Sequence, residues 1–264
     1  VPFHYFGYGS NMDLTALRAK GVEPRSSVPA ELPGWRLRFN VRHWFRHEGG
    51  MANVEPSAAA ADRVLGVLHL CEDDHLTSLE AYGVGYDRIP IVVRTDAGAM
   101  PAMTYQGLPA VLDDSCLPTR RYMNILLRGA ERAGLDPAYR AELKQHPLHP
   151  PWDYPPFAHP SGEYPEFDAT TLEAHPLYTA VGGAVFDMSA ARAELEVLKE
   201  LFGGKDTTLF HLKRLDSSDG TETLDDIREG RVSEAGRIYL NAYLCEYARE
   251  FRYVGRFRYD RGPG

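Results

Sequence analysis

The chain has 264 residues, 44% hydrophobic and 25% charged, with 29 basic against 37 acidic side chains and a net charge of −8. This is an ordinary globular balance, long enough for one large domain or two small ones, and it argues against a general nucleic-acid binder although the last dozen residues are locally basic. No apolar run approaches the roughly 18 residues a membrane span needs, and no secretory pattern is present. Cys71, Cys116 and Cys245 stand isolated, with neither disulfide nor zinc spacing, so a cytoplasmic protein with reduced thiols is expected.

In chain order, His4-Tyr5-Phe6-Gly7-Tyr8 reads as a short aromatic strand. From Met12 onward, Leu14, Ala16 and Leu17 with Arg18 and Lys20 read as a short amphipathic helix. Gly9-Ser10-Asn11 lies between them as a strand-to-helix turn. Gly9 permits a backbone conformation closed to other residues, and Ser10 or Asn11 can cap the helix. Such a junction turns backbone N–H groups outward, where they can hold a carboxylate or phosphate; it can equally be a helix cap and nothing more.

Trp35 to Phe39 alternates as a strand, and Gly49 to Val54 is a second, entered through a glycine pair that permits close backbone approach. Val64 to Leu70 is short and almost wholly apolar, a buried strand. Glu72 to Tyr82 reads as a short helix with Asp73 and Asp74 in its first turn, followed by a hairpin from Tyr86–Arg94 and Ala99–Gln106. Many short strands with few helices point to a small barrel or strongly bent sheet. Pro118 to Gln145 turns helical, with Tyr122, Ile125, Leu126, Gly129 and Ala130 on one face and a second helix started by Asp136-Pro137.

Residues 146–180 are rich in proline, histidine and aromatics, and read as an extended connector. Beyond it, Ala190–Phe202 reads as a helix ended by Gly203-Gly204, and Phe210 to Asp219 as a mixed segment. Ser233 to about Phe251 forms a long helix with a Tyr239, Tyr243, Leu244, Tyr247, Phe251 stripe, followed by a strand over Tyr253–Tyr259.

Tyr5-Phe6-Gly7-Tyr8-Gly9-Ser10-Asn11 resembles the signature of the γ-glutamylcyclotransferase-like family, which includes the AIG2-like proteins. Later segments resemble the family in its order: Gly49-Gly50-Met51-Ala52-Asn53-Val54, Arg63 to Leu68, Leu79 to Arg88, Tyr105, and Pro118 to Leu143. The resemblance spans about residues 3–146, and none is evident in 147–264. It implies a small bent β-barrel with flanking helices, and a reaction in which the α-amine of a γ-glutamyl group attacks its own γ-carbonyl to release 5-oxoproline and an amine. That chemistry requires donors for the α-carboxylate, a carboxylate to shuttle a proton, and fixed donors for the tetrahedral oxyanion; it requires no cofactor.

In the family the catalytic Glu immediately precedes a glycine. Here Tyr82 precedes Gly83, and Glu80 lies two residues earlier. Two helical residues turn a side chain by roughly 200°, so Glu80 and Tyr82 would face opposite ways on a regular helix. A tyrosine of pKa near 10 shuttles protons poorly at neutral pH unless that pKa is lowered. The resemblance thus offers Glu80 and Tyr82 as catalytic candidates, and Tyr8, Gly9, Ser10, Asn11, Tyr86 and Tyr105 as substrate-binding ones. Glu80 can equally be a solvated helix residue and Tyr82 a packing aromatic. Tyr86 and Arg88 can line a pocket or pack across strands. Glu163 or Glu166 could supply a replacement acid.

His146, His149, His159 and His175 have proline neighbours and no ligand spacing, so no metal is expected. Asp216-Ser217-Ser218-Asp219-Gly220 lacks the EF-hand pattern and reads as a capped turn.

The expected architecture is α+β: a γ-glutamylcyclotransferase-like barrel with flanking helices over 1–146, the connector over 147–180, and a mainly helical region over 181–264. The expected ligand is a small amino-acid-derived substrate, with no nucleic-acid, membrane or cofactor requirement and room for a homodimer. The alternative is a binding module that holds a carboxylate ligand without turnover.

Overall fold

A computed structural model describes residues 2–59, 61–72 and 85–259. The chain divides into two units, residues 1–151 and 152–264.

In the first unit, five strands close a barrel in the order β1-β5-β2-β6-β7, formed by β1 (Phe3–Gly7), β2 (Ser26–Pro33), β5 (Arg63–Cys71), β6 (Tyr86–Thr95) and β7 (Gly98–Gly107). All neighbouring pairs are antiparallel except β1 and β7, which run parallel and close the barrel through Tyr5 and Met103. The β6–β7 hairpin forms as its alternation predicts, with Tyr86 opposite Gly107. β2 carries no such signal. Its sequence SSVPAELP holds two prolines and opens on two serines, yet it pairs with β5 from Ser26 to Pro33, because β5 presents a long apolar strand needing a neighbour on each side.

A separate ribbon pairs β3 (Trp35–Arg42) with β4 (Gly50–Pro56). Gly50 is required there by space: a Cβ on it would stand 2.1 Å from the Phe39 carbonyl oxygen. Among the described residues, three helices flank the barrel: α1 (Leu14–Arg18), α2 (Arg120–Arg132) and α3 (Pro137–Lys144). Thr119 caps α2, and Asp136 caps α3 with Pro137 in its first turn. The predicted face of α2 is buried, with Leu126 and Ala130 wholly inside the core that also holds Phe6, Val54 and Val93.

The second unit is mainly helical and also carries a small sheet, ordered β11-β9-β10-β12-β8. Its strands are β8 (Glu166–Phe167), β9 (Tyr178–Val181), β10 (Ala184–Asp187), β11 (Lys205–Asp206) and β12 (Arg252–Phe257), and its helices α4 (Ala169–Glu173), α5 (Glu196–Phe202), α6 (Thr208–Leu212), α7 (Leu224–Arg228) and α8 (Glu234–Glu250). The long α8 helix starts where Ser233 accepts a bond from Gly236 N–H and buries its tyrosine stripe, with Tyr243 and Tyr247 among the largest fully buried side chains.

Two expectations change here. Residues 166–180, read as part of the connector, hold β8, α4 and most of β9, because Asp168 and Thr171 form a reciprocal capping box that starts a helix between the strands. The Ala190–Phe202 helix begins only at Glu196, since Ser189 N–H bonds the Asp187 carboxylate and holds a turn that competes with helix. Among the described residues no helix is long and apolar enough to cross a membrane.

Candidate functional site

β1 ends at Gly7, and Ser10–Met12 then make a single 3-10 turn before α1. Neither Ser10 nor Asn11 caps α1. Asp13 does, accepting from Ala16 N–H at 3.0 Å while its buried carboxylate pairs with Arg128 at 2.5 Å. Gly9 also serves differently from the expectation. Its φ of −109° is open to any residue. Its lack of a Cβ matters because one would lie 2.9 Å from Tyr122 Oη and 3.2 Å from Ala52 Cβ. The glycine permits close approach of an α2 side chain to the turn.

The turn forms one wall of a cleft whose empty space, counted to its open mouth, is about 290 Å³. Tyr8, Gly9, Ser10, Asn11, Tyr86 and Tyr105 all line it, so the structure brings together every substrate-binding candidate. Tyr5, Ala52 and Tyr122 complete the wall. Strand alternation sends Tyr5 and Tyr8 to opposite faces of β1. Both reach the cleft because the strand ends at Gly7, before Tyr8. Tyr122 was legible only as a core-face residue of α2.

Hydrogen bonds fix these tyrosines. Tyr8 donates to the Tyr105 carbonyl, Tyr86 donates to the Ala52 carbonyl at 2.9 Å, and Ala52 N–H donates to Tyr122 Oη at 3.2 Å. Ala52 thus uses both backbone groups to seat two cleft tyrosines, which is why β4 must reach this edge. Asn53 secures β4 in turn: its Oδ1 accepts from Gly107 N–H at 2.8 Å and its Nδ2 donates to Asn40 at 3.0 Å. Nearby, buried Glu48 is ion-paired with Arg121 at the start of α2.

Beneath the turn lies His69, fully buried on β5. Its Nε2 meets the Asn11 carbonyl at 2.9 Å, and its Nδ1 meets Ser27 Oγ at 2.7 Å. A carbonyl only accepts, so Nε2 carries the proton and Nδ1 accepts from Ser27. Burial pushes the His69 pKa down to about 4, against the opposing pull of the Asn11 bond, so the ring is neutral near pH 7. His69 looked like one residue of an apolar run in the sequence, and its contact with the turn 58 positions away is a tertiary fact.

No carboxylate is among the described lining residues. Glu80 and Tyr82 lie outside the described residues. Arg88 does not line the cleft; its guanidinium sits 4.2 Å above the Phe3 ring. Glu163 and Glu166 belong to the second unit, where Glu166 is exposed and pairs with Arg258 at 3.3 Å. The described residues contain no group of three or more His, Cys, Asp or Glu able to hold a metal ion.

The cleft offers hydroxyl and backbone groups to a small polar ligand. Neither a family model nor a curated protein matches the chain. Among solved structures it is similar to a gamma-glutamyl cyclotransferase (28% identity, TM-score 0.49, over 56% of this chain and 90% of that one). It is likewise similar to an uncharacterized protein from Homo sapiens (27%, 0.49, over 58% and 91%) and to YkqA from Bacillus subtilis (23%, 0.49, over 56% of each). These are distant likenesses, each with a TM-score below 0.5.

Proposed function

We propose that the first unit is a γ-glutamylcyclotransferase-like enzyme that acts on a γ-glutamyl amide or related amino-acid derivative and releases 5-oxoproline and an amine. The observation that carries this reading is the convergence of Tyr8, Gly9, Ser10, Asn11, Tyr86 and Tyr105, drawn from separate segments, on one cleft. Backbone N–H groups of the turn would receive the substrate α-carboxylate. Tyrosine hydroxyls would orient the γ-carbonyl, and a donor held near its oxygen would stabilise the tetrahedral oxyanion.

The reaction balances within the substrate. The α-amine, having lost a proton, forms the C–N bond to the γ-carbon, and the leaving amine departs with a proton. One general acid/base can carry that proton between the two nitrogens. Glu80 and Tyr82 are the sequence's candidates for that role.

The test is incubation of the purified protein with a panel of γ-glutamyl amines and γ-glutamyl amino acids, measuring 5-oxoproline and free amine together. Equal release of both supports the enzyme; absence of both across the panel counts against it. The second reading, a module that binds a carboxylate ligand without turnover, is favoured by Tyr82 standing where the resemblance places glutamate. Thermal stabilisation by such ligands with no product would select it.

A further inference from the structure

In the β2–β5 register Ser27 stands directly opposite His69, so the two side chains project from the same face of the sheet. Ser27 Oγ lies 2.7 Å from His69 Nδ1. Strand alternation puts the neighbouring Ser26 on the other face, opposite Leu70. Residues 26–29 are all exposed. Among the described residues β2 registers with β6 at Glu31 and Arg94 only, so the stretch that carries Ser27 is open to solvent along one edge.

His69 faces that serine as a base. The Asn11 carbonyl accepts from Nε2–H at 2.9 Å, which leaves the Nδ1 lone pair aimed at Ser27. The ring is kept in this orientation by Tyr5, stacked on it at 6.0 Å, and by Gly7, whose missing Cβ would stand 3.4 Å from Nε2. A hydroxyl, a base within hydrogen-bond reach, and a third group that orients the base are the parts of an activated nucleophile. Ser27 and His69 do not line the tyrosine cleft.

We propose that Ser27 is a nucleophile, with His69 as its general base, that accepts the acyl group of activated aryl esters at a second site outside the cleft. Ser27 Oγ bonds the ester carbonyl carbon as its proton passes to His69 Nδ1. The aryl C–O bond then breaks, and the aryloxide leaves with the electron pair and takes up that proton. Water, deprotonated by the same nitrogen, hydrolyses the acyl-serine and restores the hydroxyl. The buried ring holds a proton weakly, so a good leaving group is needed, which favours aryl esters over amides. None of this depends on the γ-glutamyl reading.

The test treats the full chain with a phosphonyl fluoride, which traps the serine: the Oγ–P bond forms, fluoride leaves, and peptide mass spectrometry maps the adduct. An adduct on Ser27 and none on Ser26, an equally exposed hydroxyl with no imidazole opposite it, is expected. His69→Gln keeps a donor for the Asn11 carbonyl but has no basic nitrogen, and should slow the labelling at least about tenfold. Hydrolysis of p-nitrophenyl acetate above the buffer rate should fall at least about tenfold in Ser27→Ala.

No adduct on Ser27, equal adducts on Ser26 and Ser27, undiminished labelling in His69→Gln, or undiminished ester hydrolysis in Ser27→Ala overturns the proposal. If circular dichroism shows His69→Gln unfolded, the contrast between Ser27 and Ser26 in the wild type and the Ser27→Ala rate decide without it.

Discussion

The clearest consequence of the buried His69 is a pH dependence of stability that disappears when the ring is replaced. Its folded pKa of about 4 lies below the ordinary value of 6.5. Between those limits the unfolded chain takes up a proton that the folded chain refuses, so stability is retained above pH 6.5 and lost as pH falls toward 4. Each step of one pH within that window costs about 1.4 kcal/mol, so between about pH 7 and about pH 4.5 the native protein loses about 2 kcal/mol through this one ring. His69→Gln has no such group, while its side-chain amide keeps a donor for the Asn11 carbonyl.

At about pH 7 the variant should be less stable by about 1–2 kcal/mol, because Gln cannot serve Asn11 and Ser27 with the same geometry. By about pH 4.5 that gap should close or invert. Urea unfolding at the two pH values, followed by Trp35 and Trp44 fluorescence in a Trp152→Phe background, measures the difference directly. Carboxylates elsewhere titrate identically in both proteins and cancel. Parallel pH dependences in wild type and His69→Gln would refute the assigned burial and neutral state of the ring.

Other outcomes follow from single contacts. Asp206, at the end of β11, has its Oδ2 sealed from solvent without a partner, and burial raises its pKa to about 6 although the Thr208 hydroxyl and N–H pull it down. A raised carboxyl pKa stabilises fully below its unfolded value near 3.8, and that contribution is lost as pH rises through 6. Asp206→Asn should therefore stabilise the second unit at about pH 8, by up to about 3 kcal/mol, with the gain vanishing by about pH 4, read by denaturant unfolding at both values. Gly50→Ala would force a methyl against the Phe39 carbonyl at 2.1 Å and Cys116 Cβ at 2.9 Å; a loss of about 3 kcal/mol, seen as a lower melting temperature, is expected. Gly9→Ala would press on Tyr122 Oη and unseat its bond from Ala52, costing about 1 kcal/mol in stability, read as a lower melting temperature.

Local chemistry determined much of this protein from sequence alone. Ser233 and Asp136-Pro137 announce helix starts, the β6–β7 hairpin announces itself by alternation, and Gly50 marks a close backbone approach, because each signal acts within a few residues of itself. Gly9-Ser10-Asn11 was legible as a turn because a junction between an aromatic strand and a helix leaves a compact signature, whereas Tyr86 and Tyr105, which line the same cleft, were offered by the resemblance alone.

Only the tertiary structure decided the rest. β2 is a strand because β5 lies beside it, against its own composition. β8 to β11 are two to four residues long and owe their pairing to neighbours far along the chain. Gly9 is required by Tyr122, and not by its own φ. His69 and Lys20 look ordinary in sequence because their partners, Asn11 for both and Ser27 for His69, are brought to them by barrel closure and the end of α1. Patterns within one element report which face is buried. Which buried side chains meet one another is set by the packing of elements that sequence keeps apart.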